Sequence, residues 1–155
     1  MGRRKAGSRT RPPGDHPMTT PTQLQLRITS DPAHLAPVRH QLEAFCAACG
    51  FDEKASGEIG LVVNEALANI TRHAYGGAQD RPVELSIEFS DGVLRIGIRD
   101  WGIGRLPPIA CRPRDPLKPG GVGLVCLREW MDSVTFSQQP DGMLLTLERH
   151  LPAGA

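Results

Sequence analysis

Nowhere in the 155 residues does an apolar run approach the ~20 residues that a bilayer-spanning helix needs, so membrane insertion is excluded at the outset. The basic residues at the N-terminus are not followed by the apolar stretch of a secretory signal. Cysteine is sparse and badly arranged for metal. Cys46-Ala47-Ala48-Cys49 is one close pair, but Cys111 and Cys126 are widely spaced, so no second pair completes a four-ligand zinc site. A body of ~135 residues buries roughly two-thirds of its unfolded surface and needs no disulfide or metal staple. Reduced, structural thiols in a soluble cytoplasmic protein are expected. A strong charge of one sign is also missing: residues 1–20 carry five basic side chains against Asp15 alone, and because the whole chain is only +1, the remainder is net acidic. That body has no basic footprint for direct nucleic-acid binding. Internal repeats are absent, and so is any G-x-x-x-x-G-K-[ST] run, which excludes P-loop chemistry.

What is present organises itself around turns and two hydrophobic periods. Residues 1–20, rich in Gly, Pro, Arg, Ser and Thr without apolar period, are expected to be a disordered basic tail; residues 21–152 are expected to form one domain. Leu24, Leu26 and Ile28 alternate as in a half-buried strand. Ser30-Asp31-Pro32 signals a helix start, and Leu35, Val38, Leu42, Phe45 and Cys49 mark its apolar stripe up to Gly50. A second helix is expected from Asp52 to Tyr75, closed by Gly76-Gly77. Val83 to Phe89 and Val93 to Ile98 flank Asp91-Gly92, a strong hairpin signal. Residues 101–120 hold five prolines and no period, and form a long loop of the kind that is usually functional or disordered. A helix over 122–131 and strands near 134–137 and 143–147 complete the order β-α-α-β-β-loop-α-β-β. This predicts an α+β two-layer sandwich with helices on one face of a mixed, mostly antiparallel sheet.

Four segments carry the chemistry. On the second helix Ile59, Val63, Ala66 and Ile70 define the packed face, and Glu65, Asn69 and His73 follow a separate i, i+4, i+8 row at its edge. An Asn carbonyl can complete a Mg²⁺ shell made mostly of phosphate oxygens and water, and a Glu one turn earlier can accept a hydroxyl proton. Taken alone, the same pair also reads as an exposed Glu and a half-buried Asn in a surface hydrogen bond. Asp100 ends a strand, where a carboxylate is costly without a donor such as the adenine amine; Gly102 and Gly104 allow backbone to approach a flat base, although Asp-x-Gly is also an ordinary turn. Gly120, Gly121, Val122, Gly123 and Leu124 open the third helix, whose first amides form a ready anion site. Arg105, Arg112, Arg114 and Lys118 in the intervening loop either clamp phosphates or solvate it.

Together Glu65-x-x-x-Asn69-x-x-Arg72-His73, Asp100-x-Gly102-x-Gly104 and Gly121-x-Gly123 resemble the nucleotide boxes of the histidine-kinase-like ATPases, which share the Bergerat fold with DNA gyrase. The run Asn64–Tyr75 and the segment Trp130–Val134 are most similar to bacterial anti-sigma-factor serine/threonine kinases, and the resemblance spans about residues 22–151. It implies ATP and Mg²⁺ as cofactors, Asn69 on the metal, Glu65 as base, Arg72 and His73 beside the nucleotide, Asp100 on adenine, Gly102, Gly104, Gly121, Val122, Gly123 and Leu124 around it, and the Pro-rich loop as lid. The implied function is an ATP-dependent serine/threonine kinase that acts as an anti-sigma factor. It would bind a sigma factor, phosphorylate a serine of a small antagonist protein, and work as a homodimer. A non-catalytic ATP-sensing partner switch and a detached histidine-kinase catalytic domain are the alternatives. One departure stands out: relatives often carry hydroxyl residues after the glycine of the last strand, where this chain has Gly142-Met143-Leu144, so Thr146 is the candidate substitute.

Overall fold

All five expected strands are present in the computed structural model, which describes residues 22–103 and 125–154. They are β1 (Gln23–Thr29), β2 (Pro82–Ser90), β3 (Val93–Asp100), β4 (Ser133–Gln139) and β5 (Gly142–His150), in the sheet order β1-β2-β3-β5-β4. Every pairing is antiparallel, so the parallel component of the expected mixed sheet is absent among the described residues. Asp91 and Gly92 both take positive φ, 52° and 76°, which is the twist a two-residue hairpin needs to keep its strands paired.

Register puts one apolar face on the helices. Leu26, Leu85, Ile98 and Leu145 stand in one row and Leu24, Ile87, Ile96 and Leu147 in the next. The opposite face is polar, with register partners Arg27 and Glu84 ion-paired at 3.1 Å and Arg95 and Glu148 at 2.8 Å. Such one-sided solvation is what antiparallel sheets permit.

The helices start and stop where the caps dictate. Asp31 accepts from the Ala33 amide at 2.9 Å and opens a 3₁₀ turn, Pro32–His34, that runs into α1 (Leu35–Ala48). Gly50 at φ 105° ends α1, the Gly50 and Phe51 amides returning to Ala47 and Cys46 carbonyls in a Schellman close. Asp52 caps α2 (Glu53–Asn69) through the Ala55 amide at 2.7 Å. The stripe Ile59, Val63, Ala66 and Ile70 is buried as expected; truncating Ile59 to alanine would cost about 2–5 kcal/mol. Gly60 lets α1 and α2 meet, since a Cβ there would lie 2.7 Å from Glu43 Oε1 and 2.9 Å from Arg39 Cγ. Cys46 and Cys49 are buried, and burial pushes the Cys46 thiol up to about 12, which suits a packing role. The third helix, α3, is Val125–Trp130. The expected tail, the Pro-rich loop with Arg105, Arg112, Arg114 and Lys118, and Cys111 lie outside the described residues.

The second helix departs from expectation at its end. It is α-helical only to Asn69; Ile70–Ala74 is a single π turn, closed by the Tyr75 amide on the Ile70 carbonyl at 3.0 Å. The turn is wound more loosely than the α-helical period assumed from sequence, and such insertions gather at functional sites. Gly76 and Gly77 follow at positive φ.

Candidate functional site

Glu65, Asn69 and His73 do not share one rim. Glu65 lines a groove of about 270 Å³ with Arg72, Ala68 and Leu35. Asn69 is buried and lines a small cavity of about 10 Å³ with Asp100, Leu127, Phe136 and Leu145, room for hardly one water. His73 is exposed and borders a third cavity of about 600 Å³, lined also by Tyr75, Arg81, Trp101, Gly102 and Ile103. The π turn accounts for His73, which it rotates out of the row that regular α-helix would continue; Glu65 and Asn69 both lie on the α-helical part and differ in burial, Glu65 half-buried and Asn69 buried.

Arg72 links the other two. Its guanidinium donates to Asn69 Oδ1 at 3.0 Å and lies 4.0 Å from Glu65 Oε2. Asn69 Nδ2 is buried and has no hydrogen-bond partner among the described residues, an omission that normally costs about 1–3 kcal/mol and points to a role other than packing.

Asp100 closes β3, 2% exposed, between Val83 and Met143 in register. Its Oδ1 accepts from the Gly102 amide at 2.9 Å. Burial raises its carboxyl above the usual range, against the pull of the Gly102 amide, Arg99 and the Met143 amide. A carboxylate under that tension gains from a further donor. Gly102 has a structural reason of its own that sequence reasoning assigned to a ligand: a Cβ there would fall 2.4 Å from the Ala74 carbonyl oxygen and 2.7 Å from Ala74 Cβ. It is the point where β3 touches the π turn. Gly142, at φ 146°, meets the Asp100 carbonyl in the same way.

Thr146 does not stand in for the missing hydroxyl. It pairs with Gly97 and Thr135, and the alternation of side chains puts it on the polar face, opposite to Asp100. Met143, across from Asp100, shares that residue's face. Gly104, Gly121, Val122, Gly123 and Leu124 lie outside the described residues.

Two supporting residues escaped sequence reasoning. The Tyr75 hydroxyl accepts from the Trp101 amide at 2.8 Å and donates to the Pro82 carbonyl at 2.5 Å, fastening the end of the π turn to β2 and β3. Arg99 lies 4.6 Å over the Trp101 ring, donates to the Asp100 carbonyl and pairs with Asp141, tying β3 to the β4–β5 turn. A lone tyrosine before a glycine pair was the only signal for the first; the second depends on a contact between residues 42 apart.

No group of three His, Cys, Asp or Glu side chains suited to a metal occurs among the described residues. The donor set fits a divalent ion held mainly by phosphate and water, with Asn69 Oδ1 as the protein's oxygen. The buried carboxylate of Asp100 is an acceptor suited to an amino donor such as that of adenine.

A family model described as the histidine kinase-like ATPase domain matches residues 28–149. The anti-sigma F factor of Bacillus velezensis is 34% identical across 61% of this chain and 68% of its own length, and that of Bacillus subtilis is 31% identical over the same shares. The crystal structure of the RsbU and RsbW domains of a Mycobacterium tuberculosis protein superposes with a TM-score of 0.63 at 19% identity, covering 84% of this chain and 33% of that one. At that identity the likeness is one of fold, and the chain spans a third of that structure's length.

Proposed function

The chain belongs to the histidine kinase-like ATPase domain family and takes its place there among the anti-sigma factors; from that premise we propose that it is a Mg²⁺-dependent serine/threonine kinase of the partner-switching kind. In this reading residues 21–152 form the ATPase domain. As a homodimer it holds a sigma factor in one state and phosphorylates a serine of a small antagonist in another.

The observation that carries the reading is the link between Glu65, Arg72 and Asn69. A carboxylate and an amide one helical turn apart share a single guanidinium, at 4.0 and 3.0 Å. When Mg²⁺ is bound it neutralises phosphate charge and orients the terminal phosphoryl group. Asn69 Oδ1, now held by Arg72 at 3.0 Å, would be the protein oxygen that holds the ion, and the Arg72 guanidinium would lie beside the phosphates. Glu65 takes the proton of the serine hydroxyl as the serine oxygen–phosphorus bond forms. The bond from phosphorus to the bridging oxygen breaks, and its electron pair leaves with ADP. The protein's contribution is positioning and charge neutralisation. Asp100 accepts from the adenine amine.

Terminally labelled ATP and purified small antagonist proteins of the same organism provide the test, with transfer of label to a serine as the expected result. Glu65→Gln keeps size and hydrogen-bonding capacity, so ATP affinity is retained while transfer falls by roughly 10²–10⁴-fold; transfer at the parent rate in single turnover removes Glu65 as base. The second reading, an ATP-sensing partner switch without phosphotransfer, is favoured by Met143 on the Asp100 face and by Thr146 facing away. It takes over if the parent labels no antagonist that it binds.

A further inference from the structure

We propose that the groove between the start of α1 and the outer side of α2 is the entrance through which the acceptor serine reaches Glu65, and that it selects a serine flanked by an apolar residue. The inference rests on the kinase reading above and adds to it the surface that reads the acceptor.

Access decides the location. The Glu65 side chain is only 19% exposed, and the residue lines this groove of about 270 Å³ rather than the small cavity of Asn69 and Asp100 or the larger space beside His73. A hydroxyl that gives its proton to Glu65 must come within ~3 Å of it, so it arrives through the groove. Nucleotide side and acceptor side then meet at Arg72, which touches Asn69 and Glu65 at once.

Chemistry decides the occupant. Pro32 and Leu35, at the start of α1, make one side apolar, whereas the other side, from α2 and the π turn, carries Glu65 and Arg72 with Ala68 between them. That pairing suits a protein segment that places a serine on the charged wall and a neighbouring aliphatic side chain on the apolar one. A free sugar or a water nucleophile would leave the apolar wall unused. The walls are also fixed in advance. The Thr71 hydroxyl donates to the Ser30 carbonyl at 2.8 Å, and Asp31 caps the 3₁₀ turn that carries Pro32. A groove held in this way loses little freedom when a segment docks.

Two variants test it with purified antagonist proteins of the same organism and labelled ATP. Ala68→Gln fills the groove from a helix position that tolerates Gln. Pro32→Trp adds bulk at the exposed rim, where folding does not depend on the interior of α2. Each is expected to keep its melting temperature and its ATP affinity by calorimetry, and to raise the KM for the antagonist at least 10-fold with kcat changed less than threefold. Replacing the apolar neighbour of the acceptor serine by Asp is expected to raise KM similarly in the parent. If the parent transfers label and the folded variants show the parent KM, the groove is not the entrance. Failure of the parent to label any antagonist overturns the kinase reading instead, a result that the variants do not produce.

Discussion

Replacing Asp100 by asparagine should change stability and nucleotide binding in separable ways. The side chain is 2% exposed, and burial holds its carboxyl above the usual range. The folded protein therefore binds a proton more tightly at this site than the unfolded chain does. Between the ordinary value of 3.8 and the raised folded value, rising pH strips the proton at a cost to the folded state. The penalty is absent below 3.8, grows through that window, and is complete above it, at about 1.4 kcal/mol for each pKa unit. In acid, neutral Asp100 and its Asn replacement are close in shape, so their stability difference is a constant set by the extra amide hydrogens. As pH rises to neutrality, the difference should move in favour of Asp100→Asn, by about 2–4 °C in melting temperature per kcal/mol for a chain of this size. ATP binding should move the other way. The asparagine oxygen must satisfy the Gly102 amide now held at 2.9 Å by Oδ1, which presents an NH₂ group where a carboxylate oxygen faced the adenine amine. Donor opposes donor, and affinity falls by about 1–3 kcal/mol, roughly 5- to 150-fold. Paired melts from pH 3 to 8 and calorimetry with ATP make the measurement. A stability gap that stays flat or moves toward the parent with rising pH would falsify the burial argument, and equal ATP affinities would remove Asp100 from the adenine.

Asn69→Ala should remove the Mg²⁺-dependent part of ATP affinity, so that titrations with and without Mg²⁺ converge in the variant; a persistent metal effect would place the ion elsewhere. Gly102→Ala forces a Cβ to 2.4 Å from the Ala74 carbonyl, which should cost at least about 1–3 kcal/mol in denaturant melts even without nucleotide. An unaltered midpoint would show that the π turn yields freely. Asp132 behaves oppositely to Asp100. Its carboxyl is held below the usual range, first by the His150 amide at 2.7 Å. Its stabilisation is present above pH 3.8 and is lost as pH falls through the folded value. Because both side chains are half-exposed, Asp132→Ala should cost under about 1 kcal/mol at pH 7, and that difference should shrink in acid melts.

Local chemistry was enough for much of the molecule. The Asp91-Gly92 turn, the Asp31 and Asp52 caps, the Gly50 stop and the two hydrophobic periods are decided within a few residues, and each became the element its neighbours specify. The family resemblance was legible because the motif segments that carry it are also short and ordered along the chain. Tertiary packing decided what periodicity had to assume. A regular helix through His73 was the default, but the chain winds a π turn where Ala74 meets Gly102 and Tyr75 is fastened to Pro82 and Trp101, and that turn takes His73 away from the row of Glu65 and Asn69. Likewise the face on which Thr146 lies is a matter of sheet register, fixed by its pairing with Gly97 across β3. One residue of slip would have turned it toward Asp100. Residue type states what a group can do chemically; which groups meet is set by the contacts between segments distant in sequence.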